Sequence, residues 1–122
     1  KEIVKNMELV AEKIFEPLRE WVGGSIQVNS FYRCEELNTA LKGSKTSSHT
    51  KGLAIDIDSL GKKTNAEMYD WIKDNLDFDQ LIWEFGNTDP KWLHISYVSK
   101  KENRKEILKA VYRGGRLTYY RQ

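Results

Sequence analysis

The stretch Leu53-Ala-Ile-Asp-Ile-Asp58 alternates strictly between large apolar residues and small or acidic ones. Successive side chains of a β-strand point to opposite faces, so the pattern predicts a strand with Leu53, Ile55 and Ile57 on one face and Ala54, Asp56 and Asp58 on the other. A carboxylate then projects beside a small alanine that leaves space next to it. The polar loop over 43–52 precedes this strand, with His49 near its mouth and Gly52 permitting a tight turn.

A second histidine lies in another alternating stretch, Trp92-Leu-His-Ile-Ser-Tyr97. Alternation puts His94 on a face with Trp92 and Ser96, and the turn residues over 86–90 predict a hairpin that joins this strand, 92–98, to one over 79–85. In that earlier strand, alternation separates Glu84 from Leu81, Trp83 and Phe85. We therefore expect Glu84 and His94 to reach the same cavity.

The remaining elements complete an α+β chain, with helices packed on an antiparallel sheet. Thr64 and Glu67 form a capping box that introduces a helix to Leu76. A helix over 2–21 is predicted to end at Gly23 and Gly24, with a kink at Pro17. A strand over 25–31 and a short helix over 34–41 follow. The tail is predicted to form a hairpin from strands over 107–113 and 116–120, although 106–112 fits a helix equally well.

Length and composition are typical of one globular domain, which we assign to residues 1–122. The formal net charge is only +2 and the charges are interspersed, so we expect no nucleic-acid partner. We expect the protein to be a monomer. No apolar run is long enough to span a membrane, and no signal peptide is evident. The chain starts at Lys1 and not at Met, which is consistent with a missing N-terminal segment.

Two imidazoles and one carboxylate suit Zn²⁺, and three protein ligands leave a position for water, as in catalytic sites. His49, Asp56 and His94 are the predicted ligands, and Asp58 competes with Asp56 because it shares the same face. Glu84 is the predicted general base for a metal-activated water, unless it only pairs with a cation such as Lys91. The chemistry is metal-assisted amide hydrolysis.

Four segments in order resemble the M15 family of zinc D-alanyl-D-alanine carboxypeptidases and peptidoglycan endopeptidases, subfamily A, of the Hedgehog/DD-peptidase fold. The segment over 49–56 resembles the family motif HxxGxAxD, and Trp92-Leu-His-Ile-Ser96 resembles WxHxS. The segments over 29–33 and 79–84 resemble SGYR and (D)QLIxE. Together they span Asn29 to Ser96.

The resemblance implies zinc at His49, Asp56 and His94, catalysis by Glu84, and Arg33 steering a substrate carboxylate or carbonyl. Ser47 and Trp92 are implied to support the site. Two positions depart from the pattern. Lys91 occupies the place where some branches keep the catalytic glutamate, and Ser48 stands where the family usually has glutamine. Arg33 alternatively pairs with Glu35 or Glu36, and Cys34 raises the alternative of a thiol protease, which no histidine is positioned to support.

The predicted function is a zinc metallopeptidase that cuts peptidoglycan stem peptides in the periplasm or cell wall, encoded by a bacterium or, as an endolysin, by a phage. The alternative is a zinc-containing binding module of the same fold, as the related Hedgehog signalling domain illustrates. Arg33 favours the enzyme, because a cation aimed at a peptide carboxylate has no evident use in a pure binding module. Carboxypeptidase and endopeptidase share this chemistry, so the bond that is cut stays open.

Overall fold

A computed structural model describes residues 2–31 and 52–122 and confirms the α+β class. The described helices pack on one face of a six-stranded sheet. The short helix predicted over 34–41 and most of the polar loop before Gly52 lie outside the described residues. In chain order the strands are β1 (Ile26–Ser30), β2 (Ala54–Ser59), β3 (Gln80–Glu84), β4 (Trp92–Ser96), β5 (Glu106–Arg113) and β6 (Arg116–Arg121).

The predicted N-terminal helix forms, but a wider turn interrupts it. α1 (Glu2–Val10) leads into a π-helical segment (Ala11–Phe15), and α2 (Glu16–Val22) follows. Pro17 lies two residues after this segment, and a proline ring crowds the carbonyl four residues earlier, at Lys13 within the segment, which the wider turn relieves. The disturbance predicted at Pro17 therefore takes the form of a π-helical turn. The helix ends at Gly23, which has φ of 75° and donates its backbone N–H to the Arg19 carbonyl at 3.0 Å.

The helix α3 (Asn65–Asn75) begins at the predicted capping box. The Thr64 hydroxyl accepts the Glu67 N–H at 3.0 Å, and the Glu67 carboxylate accepts the Thr64 N–H at 2.9 Å. Buried Asn65 then donates to the Asp58 carboxylate at 2.7 Å and to the Pro90 carbonyl at 3.0 Å. The start of α3 is therefore hydrogen-bonded both to the end of β2 and to the segment just before β4.

The strand order is β1-β2-β4-β3-β5-β6, and all neighbours are antiparallel except β3 and β5. The predicted β3–β4 hairpin is confirmed, whereas a purely antiparallel sheet is corrected to a mixed one. After β4 the chain returns to the start of β3, where buried Asp79 accepts hydrogen bonds from the backbone and guanidinium of Arg104. These bonds hold the pKa of Asp79 below its ordinary value, and they join the segments that lead into the parallel strands β3 and β5.

The tail is a β-hairpin, and the helical alternative over 106–112 is wrong. β5 bonds to β3 on one side and β6 on the other, so the sheet supplies backbone partners that an isolated helix would have to supply itself. Gly114 and Gly115 link the strands with φ of 56° and 79°, as a tight hairpin turn requires.

The hydrophobic core lies between the helices and one face of the sheet. Ile55, Ile57, Leu81, Leu93 and Ile95 supply the sheet side, as alternation predicts, and Val10, Ile14, Leu18, Met68 and Ile72 supply the helix side. Every other residue of the central strands therefore points to the opposite face, which carries Asp56, His94 and Glu84. None of the helices in the described ranges has the length and apolar character to cross a bilayer.

Candidate metal centre and catalytic site

Asp56 and His94 are direct partners across β2 and β4. Directly opposed residues of antiparallel strands share a face, so the ladder holds the two side chains together. His94 Nδ1 and Asp56 Oδ1 lie 3.0 Å apart, and the side chains are only 13% and 17% exposed. The sheet therefore brings together two of the three predicted ligands, Asp56 and His94.

These two donors fit a zinc ion. An imidazole nitrogen and a carboxylate oxygen both belong to the donor set of zinc, and two donors at tetrahedral positions about 2.0–2.1 Å from zinc would be separated by about 3.3 Å, close to the observed spacing. Residues 2–31 and 52–122 hold no group of three histidine, cysteine or acidic side chains that could bind a metal. A third ligand would have to come from elsewhere in the chain, and the predicted one, His49, lies outside the described residues.

Asp58, the alternative to Asp56, has a structural setting. Its carboxylate accepts hydrogen bonds from the Ser59 N–H at 2.9 Å and from the Asn65 side chain at 2.7 Å. These bonds orient it toward the start of α3, whereas Asp56 contacts His94. The geometry therefore favours Asp56 as the ligand.

Glu84 lies on the same face of the sheet, at the end of β3. It pairs with Trp92 on β4, two residues from His94, which makes Glu84 and His94 diagonal neighbours. Glu84 is 9% exposed, and burial together with the negative charge of Asp56 raises its pKa to about 7. No cation of the described residues contributes to this pKa shift, and Lys91 is exposed. The interpretation of Glu84 as a surface ion-pair partner therefore has no support.

Phe85 departs from the predicted alternation. Its φ is 63°, a left-handed conformation that is unusual for a bulky residue, and its ring stacks on Tyr112 at 5.0 Å and meets the edge of Trp92 at 5.5 Å. Trp92 is on the Glu84 face, so Phe85 joins that face at the end of β3 and not the core. Backbone strain of this kind is concentrated at functional sites. Trp83, by contrast, points to the helices and packs edge-on to Tyr69 at 5.2 Å.

Gly52 makes the turn that the sequence predicts, with φ of 70°. A Cβ at this position would lie 2.8 Å from the Ile3 carbonyl oxygen and 2.8 Å from Met7 Cγ. Gly52 is therefore needed both for its backbone conformation and for the close approach of its own backbone to α1. It fixes the start of the strand that carries Asp56.

One side chain near the site was not identified from the sequence. Tyr119 on β6 has its pKa raised by burial and then by Glu84, Tyr112 and Asp56. It is linked to the site only because β6 lies two strands from β3, which carries Glu84. The hairpin contains no recognisable motif, so the sequence gives no signal for Tyr119. Arg33 and Ser47 lie outside the described residues, and their roles stay predictions.

Sequence comparison assigns the chain to a known group of proteins. A family model described as Peptidase M15 matches residues 1–96, which covers most of the chain and includes Asp56, Glu84 and His94. No curated protein matches the sequence. The family match ends with β4, so β5 and β6 lie beyond it.

Proposed function

Because the chain belongs to the M15 peptidase family, we propose that it is a zinc-dependent peptidase that hydrolyses peptide bonds in peptidoglycan stem peptides. The observation that carries the proposal is the placement of the Asp56–His94 pair and the buried carboxylate of Glu84 on one face of the sheet. The periplasm or cell wall, where this substrate occurs, is the proposed place of action.

Asp56, His94 and His49 would hold the zinc ion. When bound, zinc supplies a Lewis acid that polarises a carbonyl and lowers the pKa of water to roughly 7. Asp56 and His94 lie directly opposite each other in the β2–β4 ladder, and their side chains contact each other at 3.0 Å, so the two donors are brought together by the protein itself. Pre-positioned donors of this kind favour tight binding.

Glu84 would act as the general base and then as the general acid. Its pKa of about 7 is close to neutral, so the carboxylate can accept a proton from the attacking water and return it to the leaving amine. A buried carboxylate beside the anion of Asp56 is unfavourable for stability. A module that only bound zinc would have no use for such a group, which favours an enzyme over the binding module.

The substrate class is inferred from the four motif segments between Asn29 and Ser96, above all from the one that contains Arg33. A guanidinium can form two parallel hydrogen bonds with a carboxylate, as a peptide with a free C-terminus or an acidic side chain would require. Stem peptides of peptidoglycan offer both kinds of carboxylate. Removal of a terminal D-alanine and cleavage within the stem are both compatible with this chemistry.

The direct test is to measure the zinc content of the purified protein and then the release of D-alanine or new amino groups from purified peptidoglycan. We expect one zinc per chain and release by the wild type. Glu84→Gln should keep the zinc and lose release, and Glu102→Gln, which changes an exposed glutamate in the 97–105 connection, should behave as the wild type.

The outcomes separate the enzyme from the binding module. Stoichiometric zinc without any release from peptidoglycan would support the binding module and reject the peptidase proposal. Release that is unaffected by Glu84→Gln would keep the peptidase but reject Glu84 as its base.

A further inference from the structure

The C-terminal hairpin places a tyrosine beside the candidate site. Glu84 on β3 pairs with Ala110 on β5, and Ala110 pairs with Tyr119 on β6. Residues in one such row point to the same face, so the Tyr119 side chain rises from the face that carries Glu84. Two strand spacings, about 9–10 Å in total, separate the two backbones.

The residue between them is small enough for the two side chains to approach each other. Ala110 is fully buried, although its side chain is a single methyl group on an edge-proximal strand. Tyr119 remains 49% exposed, so the residue is open to a molecule on this face of the sheet. Among the residues that the structure describes, Tyr112 is the aromatic neighbour of Tyr119 on this face, two residues from Ala110 along β5.

The electrostatic influence on Tyr119 agrees with this placement. Burial raises the pKa of the phenol most, and the charge of Glu84, its partner in this row, raises it next, ahead of Tyr112 and Asp56. The phenol therefore stays protonated at neutral pH and serves as a hydrogen-bond donor. No residue in the described ranges accepts a hydrogen bond from it, so the donor is available to a bound molecule.

We propose that the Tyr119 hydroxyl binds the peptide substrate beside Glu84, by donating a hydrogen bond to a carbonyl oxygen of the bound chain. This inference rests on the proposed peptidase function and adds a substrate-contacting residue from the hairpin beyond the family match. A neutral donor suits this place, because the carboxylate of Glu84 in the same row repels a substrate anion but not a carbonyl. The hairpin then forms one wall of the substrate cleft.

The test uses the zinc-loaded protein and a defined muropeptide that the wild type hydrolyses. Tyr119→Phe removes only the hydroxyl, and we expect kcat/KM to fall about tenfold or more, as for the loss of one hydrogen bond to a reacting or bound carbonyl. Tyr120→Phe is the matched control, because Tyr120 pairs with Lys109 and points to the other face of the same hairpin. Zinc content and Tm should be unchanged in both variants.

A second readout separates substrate contact from the chemical step. In the Glu84→Gln background, which should hold the muropeptide uncleaved, adding Tyr119→Phe should weaken muropeptide binding severalfold in calorimetry, and adding Tyr120→Phe should not. If Tyr119→Phe changes neither kcat/KM in the wild-type background nor muropeptide affinity in the Glu84→Gln background, the role of Tyr119 is overturned and the proposed peptidase function is unaffected. No hydrolysis by the wild type would instead overturn the proposed function, and the Tyr119 assignment with it.

Discussion

His94 Nδ1 lies 3.0 Å from Asp56 Oδ1, on two antiparallel strands whose register pairs these residues directly. The register is fixed by the core on the other face, because Ile55 pairs with Ile95 and Ile57 with Leu93 in the same ladder. A slip by one residue would bury both polar groups and expose the isoleucines. Packing of the core therefore holds the candidate metal ligands in place.

Replacing each of the two aspartates of β2 by asparagine should have a different effect, on zinc affinity in one case and on stability in the other. Asp56→Asn should lower zinc affinity by about a hundredfold or more, because it removes an anionic ligand. Asp58→Asn should retain zinc, but it should lower the free energy of unfolding by about 1–2 kcal/mol, because it weakens the acceptor of Asn65 and of the Ser59 N–H. Zinc titration and urea denaturation of both variants would measure these effects. Equal zinc affinity in the two variants would reject Asp56 as a ligand.

Glu84 should make the metal-free protein less stable as the pH rises. Its folded-state pKa of about 7 lies above the ordinary 4.5, so the folded state holds a proton that the unfolded chain has already lost between these values. Stability from this group is fully present below about pH 4.5 and is lost as the pH approaches and passes 7, by up to about 3 kcal/mol. Urea denaturation of chelator-treated protein at pH 5 and pH 8 would measure it.

Glu84→Gln should remove this pH dependence. The variant is expected to be more stable than the wild type at pH 8, while Glu102→Gln should keep the wild-type dependence because Glu102 is exposed. Added zinc should restore the stability of the wild type at pH 8, since a divalent cation beside Asp56 favours the ionised form of Glu84. If the free energy of unfolding of the Glu84→Gln variant still fell with pH as in the wild type, the pH dependence could not come from this carboxylate.

Gly52 should tolerate no side chain. Gly52→Ala forces a Cβ to within 2.8 Å of the Ile3 carbonyl at a φ of 70°, and we expect the free energy of unfolding to fall by about 3 kcal/mol. Gly114→Ala is the matched control, because Gly114 also has a positive φ but a Cβ there would meet nothing within 4 Å. Its cost should be about 1 kcal/mol, from backbone conformation alone. Equal losses in denaturation experiments would show that the contact with α1 is unimportant.

Local patterns were enough to predict several features of this fold. The capping box at Thr64 and the alternation in β2 and β4 depend on neighbouring residues along the chain, and the structure contains both. Shared faces and the predicted hairpin also placed Glu84 near His94, whereas Asp56 was predicted to join His94 only as a second ligand of the same metal. The faces and the hairpin needed no knowledge of the order of the strands, but the contact between Asp56 and His94 depends on the pairing of β2 with β4.

Other features depend on contacts between distant residues and could not be predicted locally. β5 lies parallel to β3, and the Asp79–Arg104 interaction between residues 25 apart joins the segments at the start of the two strands. The turn of Phe85 onto the Glu84 face follows from one backbone dihedral that no alternation pattern reveals. Tyr119 comes near the site only because β6 is added beyond β5, so its relation to Glu84 depends on the complete sheet.

The most direct test of the central claim is mass spectrometry of a defined muropeptide after incubation with the zinc-loaded protein, in parallel with zinc-loaded Glu84→Gln. We predict that the wild type adds one water across a single peptide bond of the stem, and that the variant, with the same zinc content, leaves the muropeptide intact. An intact muropeptide after incubation with the zinc-loaded wild type, or equal cleavage by both proteins, would contradict the proposed peptidase mechanism.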